Sequence, residues 1–199
     1  MIIDSSFVLL GYLLGSVSTA IITCRMMGLP DPRTQGSHNP GATNVLRFGG
    51  KKAAAVTLFG DLLKGLLPVL AASIAGASEL GLAGTALAAF LGHLYPLFFG
   101  FQGGKGVATA FGVILGLSPW VALMALLTWL IMSVTVRISS LSALTAATLS
   151  PLYLWWFDLP GVYTAAVLLI AVLLIWRHRS NIRNLLSGTE DKIGTDRQG

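Results

Sequence analysis

Cysteine, charge and acidic clusters are what this sequence has least of, and each shortage closes a class of function. A single cysteine, Cys24, among 199 residues excludes an internal disulfide framework and a cysteine-based metal site. Its apolar neighbours read it as a small buried hydrophobe. Charged residues make up 11% of the chain against 54% hydrophobic, whereas an average soluble domain is about a quarter charged. A soluble fold of this length would lack the polar surface to cover its core. Lysine and arginine are absent before Arg25, so no basic n-region precedes the apolar stretch Ser5 to Cys24, which is also too long for a signal-peptide core. That stretch reads as a permanent membrane span. The net charge of +5 does not point to nucleic acid, because the cations sit between apolar runs and form no single basic face.

About 20 apolar residues cross the hydrocarbon, and hydropathy places spans at roughly 5–24, 54–76, 82–101, 105–118, 120–136, 141–157 and 161–177. The fold class that follows is an all-α integral membrane bundle of about seven helices, one polytopic domain over 1–199. The fourth span is short, rising only about 21 Å. Ser118-Pro119 alone separates it from the fifth, so the pair is a tight hairpin or a re-entrant element, and six spans is the competing count. Pro151 predicts a kink in the sixth span. Charge gives the orientation. Arg25, Arg33, Arg47, Lys51, Lys52, Lys105, Arg137, Arg177, Arg179, Arg183, Lys192 and Arg197 all fall on one side if the N-terminus is outside, and the remaining cation, Lys64, lies within a span. The opposite loops hold only Glu79 and Asp158. That asymmetry places the N-terminus outside and the C-terminus in the cytoplasm. Gly11 with Gly15, and Gly112 with Gly116, have the spacing that lets helix backbones approach in lipid, here within one chain. No internal repeat supports an inverted-repeat transporter.

The inward segments carry the chemistry. Asp31 to Arg47 packs hydroxyl, carboxamide and guanidinium donors around Gly36 and Gly41, with no acid after Asp31. Glycines let backbone N–H groups turn toward an anion, and Ser, Thr, Asn and Arg add donors. Ala42–Arg47 is able to start a helix whose N-terminus would add dipole attraction. Gly103-Gly104-Lys105-Gly106 offers backbone donors and a point charge to a phosphate. It is not a P-loop, since Phe99 and Gly106 occupy positions where that motif needs Gly and Ser/Thr. His178-Arg179-Ser180-Asn181-Ile182-Arg183 places His178 and Asn181 on one face if the last helix continues, while Arg179 and Arg183 suit an anchor to anionic lipid. Arg137-Ile138-Ser139-Ser140 adds hydroxyls beside a cation. Asp61 and Lys64, three apart in a span, are costly facing lipid, so they face the bundle and pair with each other or with substrate. His93 reads as a packed, hydrogen-bonded residue near the middle of its span.

Several enzyme classes drop out. The fifth residue after each histidine is Thr43, Phe98 or Arg183, so no H-x-x-x-x-D occurs. There is no G-x-S-x-G elbow and no carboxylate cluster for metal-assisted phosphoryl transfer. An anion-binding membrane site with no obvious nucleophile, metal or cofactor remains. It suits an enzyme acting on phosphorylated substrates, or a channel or transporter for a phosphorylated solute. The second would need polar groups continuing to the outer face, which the outward loops hardly provide.

Gly36-Ser37-His38-Asn39-Pro40-Gly41-Ala42-Thr43-Asn44-Val45-Leu46-Arg47, Gly103-Gly104-Lys105-Gly106 and His178-Arg179-Ser180-Asn181-Ile182 together resemble the three cytoplasmic motifs of the PlsY family, the bacterial acyl-phosphate:glycerol-3-phosphate acyltransferases. The similarity runs over essentially the whole chain. His38 stands where the family often has glycine, which leaves the motif intact but gives His38 itself no role. The resemblance implies a seven-helix enzyme of the bacterial inner membrane, with its active site toward the cytoplasm. It would make 1-acyl-glycerol 3-phosphate from an acyl phosphate and glycerol 3-phosphate, without metal or cofactor. An acyl-phosphate-producing enzyme would be its functional partner. By the same resemblance, Ser37, Asn39 and Thr43 would hold the donor phosphate and polarise the acyl group. Arg47, Lys105, Ser140, His178 and Asn181 would hold the acceptor. Asn44, Gly36, Gly41, Gly103, Gly104 and Gly106 would complete the binding surface, and Glu190 would be structural. Direct attack by the glycerol 1-hydroxyl and a Ser37 acyl-enzyme are the two routes it leaves open.

Overall fold

The computed structural model describes residues 1–193, so Arg197 lies outside the described residues. Those residues form α-helices and one short 3-10 turn, with no strand. The helices are α1 (Ile2–Gly15), α2 (Thr19–Met26), α3 (Ala42–Ile74), α4 (Glu79–Leu94), α5 (Val107–Leu117), α6 (Pro119–Thr135), α7 (Ser139–Trp156), α8 (Gly161–Arg177) and α9 (Arg179–Leu186). They gather into two compact units, Met1–Pro119 and a second from Trp120 onward.

In the first unit α3 is the axis, packing against α1, α2, α4 and α5. Small residues set the close crossings. Gly11 lies against Thr85 and Gly15 against Ala89, so α1 and α4 meet with no room for a Cβ. Gly112 lies against Leu62 and Gly116 against Val69, which does the same for α5 and α3. Both G-x-x-x-G pairs therefore pack helices inside one chain, as expected for small residues at helix crossings. Cys24 is buried with Ala20, Val45 and Ala53, with Leu29 and Phe48 against them, as the small hydrophobe its neighbours imply.

The stretch 5–24 is not one continuous helix. It breaks at Ser16–Ser18 with a 40° bend between α1 and α2. Lys64 Nζ donates to the Val17 carbonyl at 2.8 Å, supplying a partner where the helical ladder is interrupted. The span expected at 54–76 starts twelve residues earlier, at Ala42, with non-helical geometry at Gly50 (φ 78°, ψ 176°) between its two parts. The span 82–101 stops at Leu94, because Pro96 bars the preceding residue from continuing the helix. Ser78 caps α4, its hydroxyl accepting the Gly81 N–H at 3.1 Å, with Glu79 favourably placed at the positive end of the helix. The fourth helix is only 11 residues long, and Pro119 opens α6 directly after Ser118, where its missing N–H is no loss.

In the second unit α7 runs unbroken through Pro151 and packs on α8. Thr128 Oγ1 of α6 lies 2.7 Å from the Tyr153 hydroxyl of α7. Two helical stretches, Ala42–Ile74 and Glu79–Phe99, are each long and apolar enough to cross a membrane. The bent pairs α1–α2 and α8–α9 raise this to four if each pair is one span.

Candidate active site

One buried carboxamide organises the donor loop. Asn44, in the first turn of α3 and 1% exposed, donates through Nδ2 to the Pro32 and Gln35 carbonyls, both at 2.9 Å, and its Oδ1 accepts the Ser37 N–H at 2.9 Å. Both amide protons and the carbonyl are used within the loop. Asn44, expected to bind substrate, is placed to shape the segment that carries Ser37. Gly36 touches the same Oδ1 and has a φ of 52°, so both space and conformation call for glycine. Ser37 and Thr43 are exposed and Asn39 is half-buried. Among the described residues their side chains make no hydrogen bond, which leaves these donors to a ligand. Thr43 and Arg47 lie one turn apart on α3 and so share a face.

Arg33 is committed elsewhere. Its Nη2 lies 2.7 Å from Asp31 Oδ2 and its Nη1 donates to the Phe99 carbonyl at 3.3 Å. The side-chain hydrogen bond from Arg33 holds the Asp31 carboxyl below its usual range. This pairing therefore stabilises the loop above the unfolded carboxylate pKa of about 3.9. It is lost as pH falls through the lowered folded value.

The Gly103–Gly106 loop is seated on the end of α4. The Gly104 N–H donates to the His93 carbonyl at 3.3 Å. A Cβ on Gly103 would collide with the His93 and Leu94 carbonyls, and one on Gly104 with the His93 ring. Lys105 is half-buried between them and Gly106, whose left-handed backbone (φ 86°) starts α5. The two loops meet here, since a Cβ on Gly104 would also lie 3.0 Å from the Pro40 carbonyl. The first unit thus brings Ser37, Asn39 and Thr43 onto the same end of its bundle as Lys105. Strain gathers in the same places. Among the described non-glycine residues, His38 (φ 56°), Phe101 (φ 58°), Arg137 (φ 61°) and Asp158 (φ 51°) are left-handed, and three of these four belong to or adjoin the polar motifs. Each costs about 1–2 kcal/mol, a cost typical of functional segments. The left-handed backbone at His38 is the physical reason a glycine would suit that position.

In the second unit Glu190 Oε1 accepts from Ser140 Oγ and from Asn181 Nδ2, both at 2.6 Å. His178 does not continue a helix with Asn181. It is buried at the junction of α8 and α9, bent by 60°, with Nδ1 2.8 Å from the Leu174 carbonyl. The Arg179 guanidinium lies 4.8 Å from the Trp176 ring centroid, a cation–π contact. Glu190→Ala removes a charged acceptor shared by two donors and lowers stability by on the order of 1–2 kcal/mol. Glu190→Gln keeps a neutral acceptor and loses less. Thermal unfolding in detergent reads the difference, and equal midpoints for wild type and Glu190→Ala would contradict the shared-acceptor role.

A model of the family described as glycerol-3-phosphate acyltransferase matches residues 5–188. A glycerol-3-phosphate acyltransferase of Thioalkalivibrio sulfidiphilus is 63% identical over 194 residues, covering 98% of this chain and 96% of that one. One of Methylococcus capsulatus is 55% identical over 186 residues, covering 94% of each. The chain belongs to the glycerol-3-phosphate acyltransferase family. The crystal structure of PlsY, an integral membrane glycerol 3-phosphate acyltransferase, in its glycerol 3-phosphate form superposes with a TM-score of 0.92 at 42% identity over 96% of both chains. Its lysophosphatidic acid form gives 0.90 at 41%. The chain is accordingly an integral membrane protein of the PlsY type.

In this acyltransferase-family chain, the expected Asp61–Lys64 pair and packed His93 prove to be parts of one buried polar network beneath the Gly-Lys loop, whose other members sequence reasoning missed. Asp61 Oδ1 pairs with Lys64 Nζ at 2.9 Å and accepts the Thr19 hydroxyl. His93 Nδ1 lies 3.6 Å from the same oxygen and 3.2 Å from Thr109 Oγ1. His93 is in the last turn of α4, not near the middle of a span, because the helix ends before Pro96. The spacing of Asp61 and Lys64 was a visible signal. Thr19, Val17 and Thr109 carried none, since the Asp61 and Lys64 groups they bond lie more than 40 residues away.

Proposed function

We propose that this protein transfers a fatty acyl group from an acyl phosphate to the 1-hydroxyl of glycerol 3-phosphate, giving 1-acyl-glycerol 3-phosphate and phosphate, the first step of bacterial phospholipid synthesis. The observation that carries the reading is the Asn44-organised loop, which leaves the donors of Ser37, Asn39 and Thr43 uncommitted beside the Lys105 loop. Family membership supports the glycerol 3-phosphate half of the reaction. The acyl-phosphate half rests on chemistry. Such a mixed anhydride is already activated, so the protein need only position it and stabilise charge, with no metal or cofactor.

Ser37, Asn39 and Thr43 hold the donor phosphate and polarise the acyl carbonyl. Arg47 and Lys105 hold the acceptor phosphate and glycerol. The glycerol oxygen bonds to the acyl carbon, the acyl–phosphate C–O bond breaks, and a phosphate oxygen takes the hydroxyl proton. Ser37 Oγ has no base hydrogen-bonded to it among the described residues, and the adjacent His38 turns its Nδ1 to the Arg33 carbonyl at 3.0 Å. That favours direct attack over a Ser37 acyl-enzyme, which would need an activating base. The same reading places the protein in the inner membrane as one seven-span domain, N-terminus outside, with its active site facing the cytoplasm and supplied by an acyl-phosphate-producing enzyme.

Donor comparison tests it. Purified protein given glycerol 3-phosphate forms lysophosphatidate from palmitoyl phosphate, while palmitoyl-CoA and palmitoyl-acyl carrier protein are inert. Product from palmitoyl-CoA at a comparable rate refutes the donor assignment. No product from a folded sample, with glycerol 3-phosphate flux across liposomes, favours a transporter.

A further inference from the structure

His93 is buried at the point where three elements meet, and each of its polar atoms has a distinct neighbour. Its carbonyl accepts the Gly104 N–H at 3.3 Å. Its Nδ1 faces Thr109 Oγ1 at 3.2 Å and Asp61 Oδ1 at 3.6 Å. Its Nε2 lies against Gly104, so closely that a Cβ there would overlap the ring nitrogen. Thr109 stands three residues after Gly106, in the first turn of α5, so the same imidazole touches the loop at Gly104 and the helix that follows it.

The surrounding hydrogen bonds fix which nitrogen carries the proton. The Thr109 hydroxyl has one hydrogen, and it is given to the Asp61 backbone carbonyl at 2.9 Å. Toward His93 the Thr109 oxygen is left only with lone pairs, so Nδ1 is the donor. The Asp61 carboxylate beyond it favours the same tautomer. That carboxylate is itself held by the Lys64 ammonium at 2.9 Å and by the Thr19 hydroxyl. In the neutral ring the remaining nitrogen, Nε2, carries the lone pair, and it lies against Gly104, next to Lys105.

We propose that His93, with its tautomer set by Thr109 and Asp61, is a positioning residue that holds the Gly103–Gly106 loop so that Lys105 meets the phosphate of the acceptor. This rests on the reading of Lys105 as an acceptor-phosphate ligand. The ring acts through the loop backbone and does not touch substrate. Because acceptor recognition depends on it and donor recognition does not, its loss separates the two substrates kinetically.

The test measures kcat and both KM values for wild type, Lys105→Ala, His93→Leu, His93→Gln, Thr109→Val and the His93→Leu/Lys105→Ala double variant, with palmitoyl phosphate and glycerol 3-phosphate as substrates. Thermal midpoints are read alongside. His93→Leu raises the KM for glycerol 3-phosphate about tenfold and leaves that for palmitoyl phosphate within about twofold, as expected for lost acceptor binding. His93→Gln, which can still accept a loop N–H, recovers most of the loss. Thr109→Val shifts the acceptor KM the same way, by roughly threefold. Adding His93→Leu to Lys105→Ala raises the acceptor KM no further. An unchanged acceptor KM in His93→Leu while Lys105→Ala raises it overturns the proposal alone. So does a parallel fall of kcat, both affinities and the thermal midpoint in all three single variants of His93 and Thr109. An inactive wild type, or Lys105→Ala with a wild-type acceptor KM, overturns the underlying reading and this proposal with it.

Discussion

Asn44→Leu lowers kcat/KM for acyl transfer about 100-fold while the helices remain folded. Leucine keeps the branched outline of asparagine and is larger, so no cavity is left. What it removes is polar. The Pro32 and Gln35 carbonyls and the Ser37 N–H each lose the partner that Asn44 supplies at 2.9 Å. An unsatisfied group costs about 1–3 kcal/mol if it stays buried, as at Pro32, while the Ser37 end of the loop is exposed and escapes the cost by moving into water. The loop therefore opens before the bundle unfolds. Ser37 and its neighbours leave the geometry that a reacting acyl phosphate requires, and misplacement by about 1 Å is worth around 100-fold in rate. Steady-state kinetics with circular dichroism in detergent checks this. Full helicity with near-wild-type kcat/KM would show that Asn44 does not shape the site. Asn44→Asp keeps the acceptor for Ser37 N–H but loses both donors, so it falls between the two.

Lys64→Met lowers stability by about 3–5 kcal/mol, the usual result of leaving one member of a buried pair behind. Asp61 is 3% exposed and Lys64 8%. Without the ammonium, Asp61 keeps only the Thr19 hydroxyl and the more distant His93 ring. The Val17 carbonyl, at the break between α1 and α2, also loses its donor. Removing the charge as well changes the sign of the argument. Asp61→Asn combined with Lys64→Met leaves no uncompensated charge, and the double variant regains more than half of the lost stability. Thermal unfolding of the three variants in one detergent measures this. A double variant less stable than Lys64→Met alone would mean that the pair contributes mainly through contacts other than charge.

Local features of the chain were legible before any coordinates. The three polar motifs, the glycine spacings at helix crossings and the burial of Cys24 all follow from patterns within a few residues. What was not legible depends on partners far away in sequence. An apolar run from Ser5 to Cys24 gives no sign of breaking, because the lysine that donates to the Val17 carbonyl comes 47 residues later. Asn44 has the same donor character as Asn39, and only the folded loop shows that one points inward and is fully bonded while the other stays available. Ser140 and Asn181 lie 41 residues apart, and only the fold shows both donating to one oxygen of Glu190. Residue type told which groups could bind a phosphate. Burial decided which of them hold up the ones that do.

Direct transfer to the acceptor is the centre of the account, and one order-of-addition measurement tests it. Purified protein is mixed with palmitoyl phosphate labelled in the acyl chain, first without glycerol 3-phosphate and then with it, while phosphate release and protein-bound acyl are followed. The account predicts neither before the acceptor is added, and lysophosphatidate and phosphate in equal amounts afterwards. A stoichiometric burst of phosphate with acyl retained on the protein, abolished by Ser37→Ala, would contradict it.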